Sequence, residues 1–138
     1  MSETKVNAAL VAAYIASGVI PQARTAFEGV TFAPVTGQSW ARLTNLPSMR
    51  DKPGLAPGDS SEVLGILQVD LFWPKGSGTA PILAAADQLM THFEPHKRLA
   101  FQGQDVKIRR VRRSQIRIEE VWQSVSVDIH YWANIIQT

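Results

Sequence analysis

A chain of 138 residues is long enough for one domain with a buried core. It has no cysteine, which excludes disulfides, thiolate metal sites and cysteine nucleophiles, and no apolar run approaches the roughly 20 residues of a membrane-spanning helix. The formal net charge is only +2, yet eight of the 14 Lys and Arg residues fall between Lys97 and Arg117, opposed there by Asp105 alone.

In chain order, residues 4–17 place Val6, Leu10, Ala13, Tyr14 and Ser17 on one side, which predicts a first helix with Gly18 as its C-cap and Pro21 beyond. Lys5 followed by an apolar stretch to Ile20 faintly resembles a secretory signal, but Glu3 and Asn7 interrupt it and the pattern is helical. Residues 27–35 read as a short extended or turn segment, with a tight turn at Glu28-Gly29 and with Phe32 and Val35 expected to pin it to the core. Residues 38–46 alternate, Trp40, Arg42 and Thr44 against Ala41 and Leu43, and predict the first strand of the main sheet. The next stretch, 47–61, carries three prolines and two glycines and almost no large apolar groups. It lacks the surface to offset its ordering entropy, so the expectation is a long mobile hairpin arm.

Residues 63–73 are nearly all apolar, as suits a central strand covered on both faces. Asp70 within it must lie near a strand end or find a donor. Pro74, Gly76 and Gly78 end the strand, and Thr79 and Pro81 open a helix as N-cap and first-turn residues. Ile82, Leu83, Ala86, Leu89, Met90 and Phe93 form its inward stripe, and Pro95 stops it. Residues 98–101 predict a short strand, 102–105 a turn, and 106–111 and 115–122 two extended segments separated by a bulge or loop at 112–114. In the last strand Val125, Val127, Ile129 and Tyr131 alternate with Ser124, Ser126, Asp128, His130 and Trp132, a half-buried antiparallel pattern. The order points to an α+β fold: a mostly antiparallel sheet with two helices packed on one face and a long flexible loop.

The chemistry-bearing residues converge poorly. The Gly76-Ser77-Gly78 turn ahead of a helix invites a nucleotide reading, but the third glycine of the dinucleotide fingerprint is Pro81 here and no Gly-Lys-Ser/Thr ending follows. His92 and His96 lack a placed third ligand, Pro95 separates their faces, and both are expected to be solvent-exposed at a helix end. Asp70, Asp87, Glu119 and Glu120 are not paired by spacing, and Glu119 and Glu120 are expected to face the arginines across strands. No catalytic set, metal site or cofactor is indicated.

The anomalous feature is Arg109, Arg110, Arg112, Arg113 and Arg117, interleaved with Val and Ile so as to predict a charged face on one side of the sheet. Such a face is a solvated surface, a contact for DNA phosphates, or a pairing surface for acidic groups of a neighbouring subunit. No aromatic residue within the stretch is offered for stacking bases. Trp132, on the polar face of the last strand, adds an anchor of the kind interfaces favour, so subunit contact leads and DNA contact is the lesser reading. Arg50 and Lys52, on the predicted arm, complete the candidate contact set.

One stretch, GILQVDLFWPKGSGTAP with the alanine-rich helix after it, carries a resemblance. Together with Phe27-Glu28-Gly29-Val30-Thr31-Phe32 and Trp40-Ala41-Arg42-Leu43-Thr44, in that order and spacing, it resembles the tail-terminator-like (tail completion) proteins of long-tailed bacteriophages. The resemblance runs from the first helix to the last strand and implies a single domain over residues 1–138 with the same α+β architecture. It implies a structural protein of a phage or prophage and not an enzyme. Copies would form a ring, hexameric in the assembled tail and sometimes monomeric in isolation, that caps the completed tail tube and presents a surface to the head-side connector. The implied partners are other copies of the chain, the tail-tube protein and the head–tail connector protein, with no membrane. The implied place is the virion tail, and the host cytoplasm during assembly. On that reading the arginine strands supply subunit contacts and the 47–61 arm reaches the tube or a neighbour. The alternative is a small basic nucleic-acid-binding domain.

Overall fold

Two long antiparallel strands form the spine of the sheet. The computed structural model describes residues 2–51 and 60–136. In chain order the elements are α1 (Glu3–Ser17), a 3-10 turn (Gln22–Arg24), β1 (Thr25–Ala26), β2 (Trp40–Asp51), β3 (Ser60–Pro74), α2 (Ala80–His92), β4 (Arg98–Phe101), β5 (Gln104–Arg113), β6 (Arg117–Ile118) and β7 (Trp122–Ile136). The strands form one sheet in the order β1-β2-β3-β7-β5-β4, with β6 also on β7, and every pairing is antiparallel except the short β1–β2 contact. The architecture is α+β.

Each helix follows from local signals. Ser2 caps α1 by accepting the Lys5 N–H at 3.3 Å, and Gly18 closes it in the left-handed region at φ 66°. Val6, Ala9, Leu10 and Tyr14 are its buried stripe. In α2, Pro81 occupies the first turn and Ile82, Ala85, Ala86 and Leu89 face the sheet. Thr79 stands at the N-cap as expected, but its hydroxyl makes no capping bond.

Cross-strand register sorts the sheet into two faces, because residues directly opposite share a face. Val63, Leu67, Val69 and Leu71 of β3, with Val125, Val127, Ile129, Tyr131, Ala133 and Ile135 of β7, form the core under both helices. The opposite face carries Leu64, Ile66, Gln68, Asp70 and Phe72 of β3 beside Trp132, His130, Asp128, Ser126 and Ser124 of β7. No helix covers it among the described residues. The expected double cover of the central strand is therefore corrected. One face is under helices; on the other Leu64, Ile66 and Trp132 are half-buried, whereas Asp70 and Phe72 are buried at the end where Phe32, Trp40 and Trp122 gather.

The strand ends also differ from the reading of the sequence. Pairing of β2 with β3 continues past Leu46 through Asp51 on one side and from Glu62 on the other, across an irregularity between Pro47 and Met49. Proline is tolerated there because β2 lies near the edge of the sheet and the irregularity interrupts the ladder. The tip of the expected arm, with Lys52, lies outside the described residues. The turn between β4 and β5 is tighter than expected, with Gln102 and Gly103 at φ 47° and 84°. Trp122 opens β7 instead of ending the segment before it. Val35, expected in the core, is 58% exposed, and the 27–35 segment is instead held by Phe27 against the core and Phe32 against Trp40.

Gly65 fixes the middle of the spine. It lies opposite Tyr131 in the ladder, and a side chain there would place Cβ 2.6 Å from Tyr131 Cζ, inside a ring that is only 2% exposed. Gly65→Ala is expected to destabilise the fold by about 1–3 kcal/mol through overpacking. Chemical denaturation checks this, and an unchanged midpoint would show that the ring moves aside freely.

Candidate functional site

The residues of the arginine cluster are set by one bulge. β5 pairs with β7 as Val106–Ala133, Lys107–Trp132 and Ile108–Tyr131, then shifts register at Arg109 and resumes as Arg110–His130, Val111–Ile129, Arg112–Asp128 and Arg113–Val127. The extra residue keeps Val106, Ile108 and Val111 facing the core and turns Lys107, Arg110 and Arg112 to the open face. The single arginine face expected from the sequence is thus divided. Arg113 falls on the helix side, where its guanidinium donates to the Ser114 carbonyl at 3.1 Å. Arg117 is on β6 and donates to Ser126 Oγ at 2.7 Å. The break in pairing is at 114–116, where the Ser126 N–H donates to Ser114 Oγ and the Ser114 N–H to the Ser126 carbonyl.

Trp132 sits beside Lys107 on the open face, as its place on the polar side of the last strand predicted. Arg50 belongs to β2, and only its backbone register, opposite Val63, is described. Glu119 and Glu120 occupy the exposed turn before β7 and reach no arginine within ion-pair distance among the described residues, which corrects the expected cross-strand pairs.

Sequence reasoning missed the centre of this face. Asp70 lies mid-strand and is 4% exposed, yet its carboxylate is fully engaged. Oδ2 accepts from Arg42 Nε at 3.1 Å and Nη2 at 2.9 Å, and Oδ1 accepts from the Ser126 hydroxyl at 2.6 Å. With Arg117 on Ser126, a polar chain Arg42–Asp70–Ser126–Arg117 crosses β2, β3, β7 and β6. Above it Phe32, Trp40 and Phe72 stack, with centroids 5.5 and 4.0 Å apart, and Trp122 meets Trp40 edge-on at 6.0 Å. Arg42 lies over the Phe72 ring at 5.3 Å. The apolar-strand signal marked Asp70 as needing a donor, but only register identifies which.

His92 is half-buried and pairs its Nε2 with the Ala13 carbonyl at 2.8 Å, a correction to its expected exposure, whereas His96 is exposed. Ser17, Asp87 and His92 line one shallow groove. The Ser17 hydroxyl donates to the Tyr14 carbonyl at 2.6 Å and the His92 ring is held by Ala13, so neither is oriented toward the other for acyl transfer. The glycine turn before α2 is held by Gln123, whose amide donates to the Gly78 carbonyl, and it follows an antiparallel strand. Among the described residues no group of His, Asp or Glu could hold a metal ion.

The arginines set the local potential. His130 has its pKa lowered from 6.5, first by burial and then by Arg110, with Arg112 and Arg109 adding to this and Asp128 opposing it. A histidine with a depressed folded pKa costs no stability while neutral and destabilises as pH falls through its unfolded value. Stability is expected to decline from about pH 7 downward partly through this group, less so in high salt and less in His130→Gln, as followed by thermal unfolding at a series of pH values. Parallel pH curves for the two chains would contradict this. Arg42→Ala takes two of the three hydrogen bonds from a buried carboxylate, and a cost of about 2 kcal/mol is expected. Adding Asp70→Asn is expected to recover part of it, and a strictly additive double variant in denaturant titrations would show that the two groups are not coupled.

A solved structure superposes on the chain with a TM-score of 0.73 at 18% identity, covering 100% of this chain and 99% of that one, a likeness of fold. No curated protein matches the sequence. The family model described as phage tail terminator protein matches residues 5–131, from the first turns of α1 to the middle of β7. That match over most of the sequence assigns the chain: it belongs to the phage tail terminator family, a structural component of the virion tail.

Proposed function

We propose that copies of this chain assemble into a ring that caps the completed tail tube and joins the tail to the head, acting by binding and not by turnover. The observation that carries the reading is the pair of unpaired sheet edges. β5 is paired by β4 only through Lys107, with a further hydrogen-bonded contact from the 96–97 segment to Ile108, so the outer edge of residues 109–113 is open among the described residues. On the other side β1 covers β2 only at Ala41 and Arg42. An edge left open invites pairing with another chain, and charged side chains on it restrict which chain can approach. Two different open edges on one molecule favour head-to-tail association, which closes into rings when the rotation permits.

Partners on this reading are further copies of the chain, the tail-tube protein and the head–tail connector protein. The hairpin formed by β2 and β3 reaches the tube or a neighbouring subunit. Incubation of the chain with assembled tail tubes is expected to place it at the tube tip and to stop further growth, as seen by electron microscopy and by the tube-length distribution. Tubes that bind nothing and keep elongating would refute the proposal. A gel shift on duplex DNA at two salt concentrations separates the nucleic-acid alternative, which requires retention that falls steeply with salt.

A further inference from the structure

The β5 edge of this sheet is basic, and two carboxylates stand along the grooves that flank β2. The β5 edge presents Arg109, Arg110 and Arg112. Beside the β2 edge, α1 and the segment after β1 enclose two adjoining shallow grooves of about 260 and 330 Å³. Their floor is apolar, with Val11, Ile15, Phe27 and Leu67 on one side of Asn7 and Val6 and Val63 on the other. Glu3 and Glu28 stand along the wall, and both grooves share Glu28. The Glu28 carboxylate accepts the edge N–H of Asn45 at 2.7 Å, which fixes its position against β2. Two neighbouring residues of β7 sense the difference. Tyr131, facing the grooves, has its hydroxyl pKa raised by burial first and also by Glu3 and Glu28, opposed by its hydrogen bond with Asn45, whose Oδ1 accepts from the hydroxyl. His130, facing the other way, is lowered by burial and by the arginines.

The geometry points to this acidic groove between α1 and β2 as the socket for the arginine edge of β5 of a second copy. The inference rests on the ring assembly proposed above and names its two contact surfaces. The chemistry fits an arginine: its aliphatic stem covers an apolar floor while its guanidinium meets a carboxylate at the rim, a two-part recognition that lysine meets less well. Because socket and edge are different surfaces of one molecule, the contact is heterologous and each copy offers both halves. The grooves are small and open, which suits a few protruding side chains better than a buried small molecule.

Charge exchange tests it in the full chain. Arg110→Glu/Arg112→Glu and Glu28→Lys are each expected to lose self-association on tail tubes by more than about tenfold, because like charges then meet at every contact. Glu28→Gln, which keeps the acceptor for Asn45, controls for folding and is expected to show a smaller loss. An equimolar mixture of the two reversed variants is expected to regain assembly, since each edge then finds a socket of opposite sign. The absence of native cysteine allows a direct readout. Ile15→Cys with Arg110→Cys is expected to give an intermolecular disulfide ladder on tubes, and Asp87→Cys with Arg110→Cys is not. If tubes are capped normally but the mixture fails and no ladder forms, the socket is wrong and the capping function stands. If the unaltered chain does not cap tubes, the capping reading fails and this inference falls with it.

Discussion

The register between β3 and β7 is the constraint on which the rest of the molecule depends. These two strands of 15 residues each pair without interruption from Ser60–Ile136 to Pro74–Trp122. A slip of one residue would turn one strand over relative to the other: for β7 it would bury His130 and Asp128 and expose the valines and isoleucine beneath the helices. Two local features oppose such a slip. Gly65 leaves the space that the Tyr131 ring occupies, and Asp70 finds the Ser126 hydroxyl only in the observed alignment. The first is a steric lock and the second an electrostatic one, since a buried carboxylate without donors is costly.

From that register the surface follows. The core face is closed by α1 and α2, whereas the open face gathers long polar side chains around a buried ion pair, with Arg42 53% and Asp70 6% exposed at the side-chain level. The half-exposed arginine limits what this pair adds to stability, but the shared carboxylate joins β2, β3 and β7 at one point. A rigid sheet of this kind can present its edges at fixed angles, as a closed ring of identical copies requires. Membership in the tail terminator family and two unlike open edges agree with a molecule that works through its fit to other proteins.

Much of this was legible in the sequence. Helical stripes ending at Gly18 and Pro95 placed both helices within a residue or two, and strict alternation from Ser124 to Trp132 marked the two faces of β7. The Arg109-Arg110 doublet breaks that alternation in β5 and is the trace of the bulge, whereas the run of arginines taken alone implies one continuous charged face. Other features had no local signal. β1 is a two-residue contact made by a segment far from any strand pattern. The stack of Phe32, Trp40, Phe72 and Trp122 draws on segments distant in sequence that meet only through register. Residues 47–51 looked like loop because proline and polar residues dominate, yet an edge position and a ladder irregularity admit them to β2. The acidic socket combines α1, the segment after β1 and the β2 edge, and no spacing rule brings those together.

The central claim is that two unlike edges of one register-locked sheet do the molecule's work by meeting other protein chains. Amide hydrogen exchange, compared between the free chain and the chain bound at tail-tube tips, tests it most directly. The account predicts new protection at residues 109–113 and along residues 43–47 of β2, with the β3–β7 spine already protected in the free chain. Unchanged exchange at both edges in the bound state, or protection confined to α2, would contradict it.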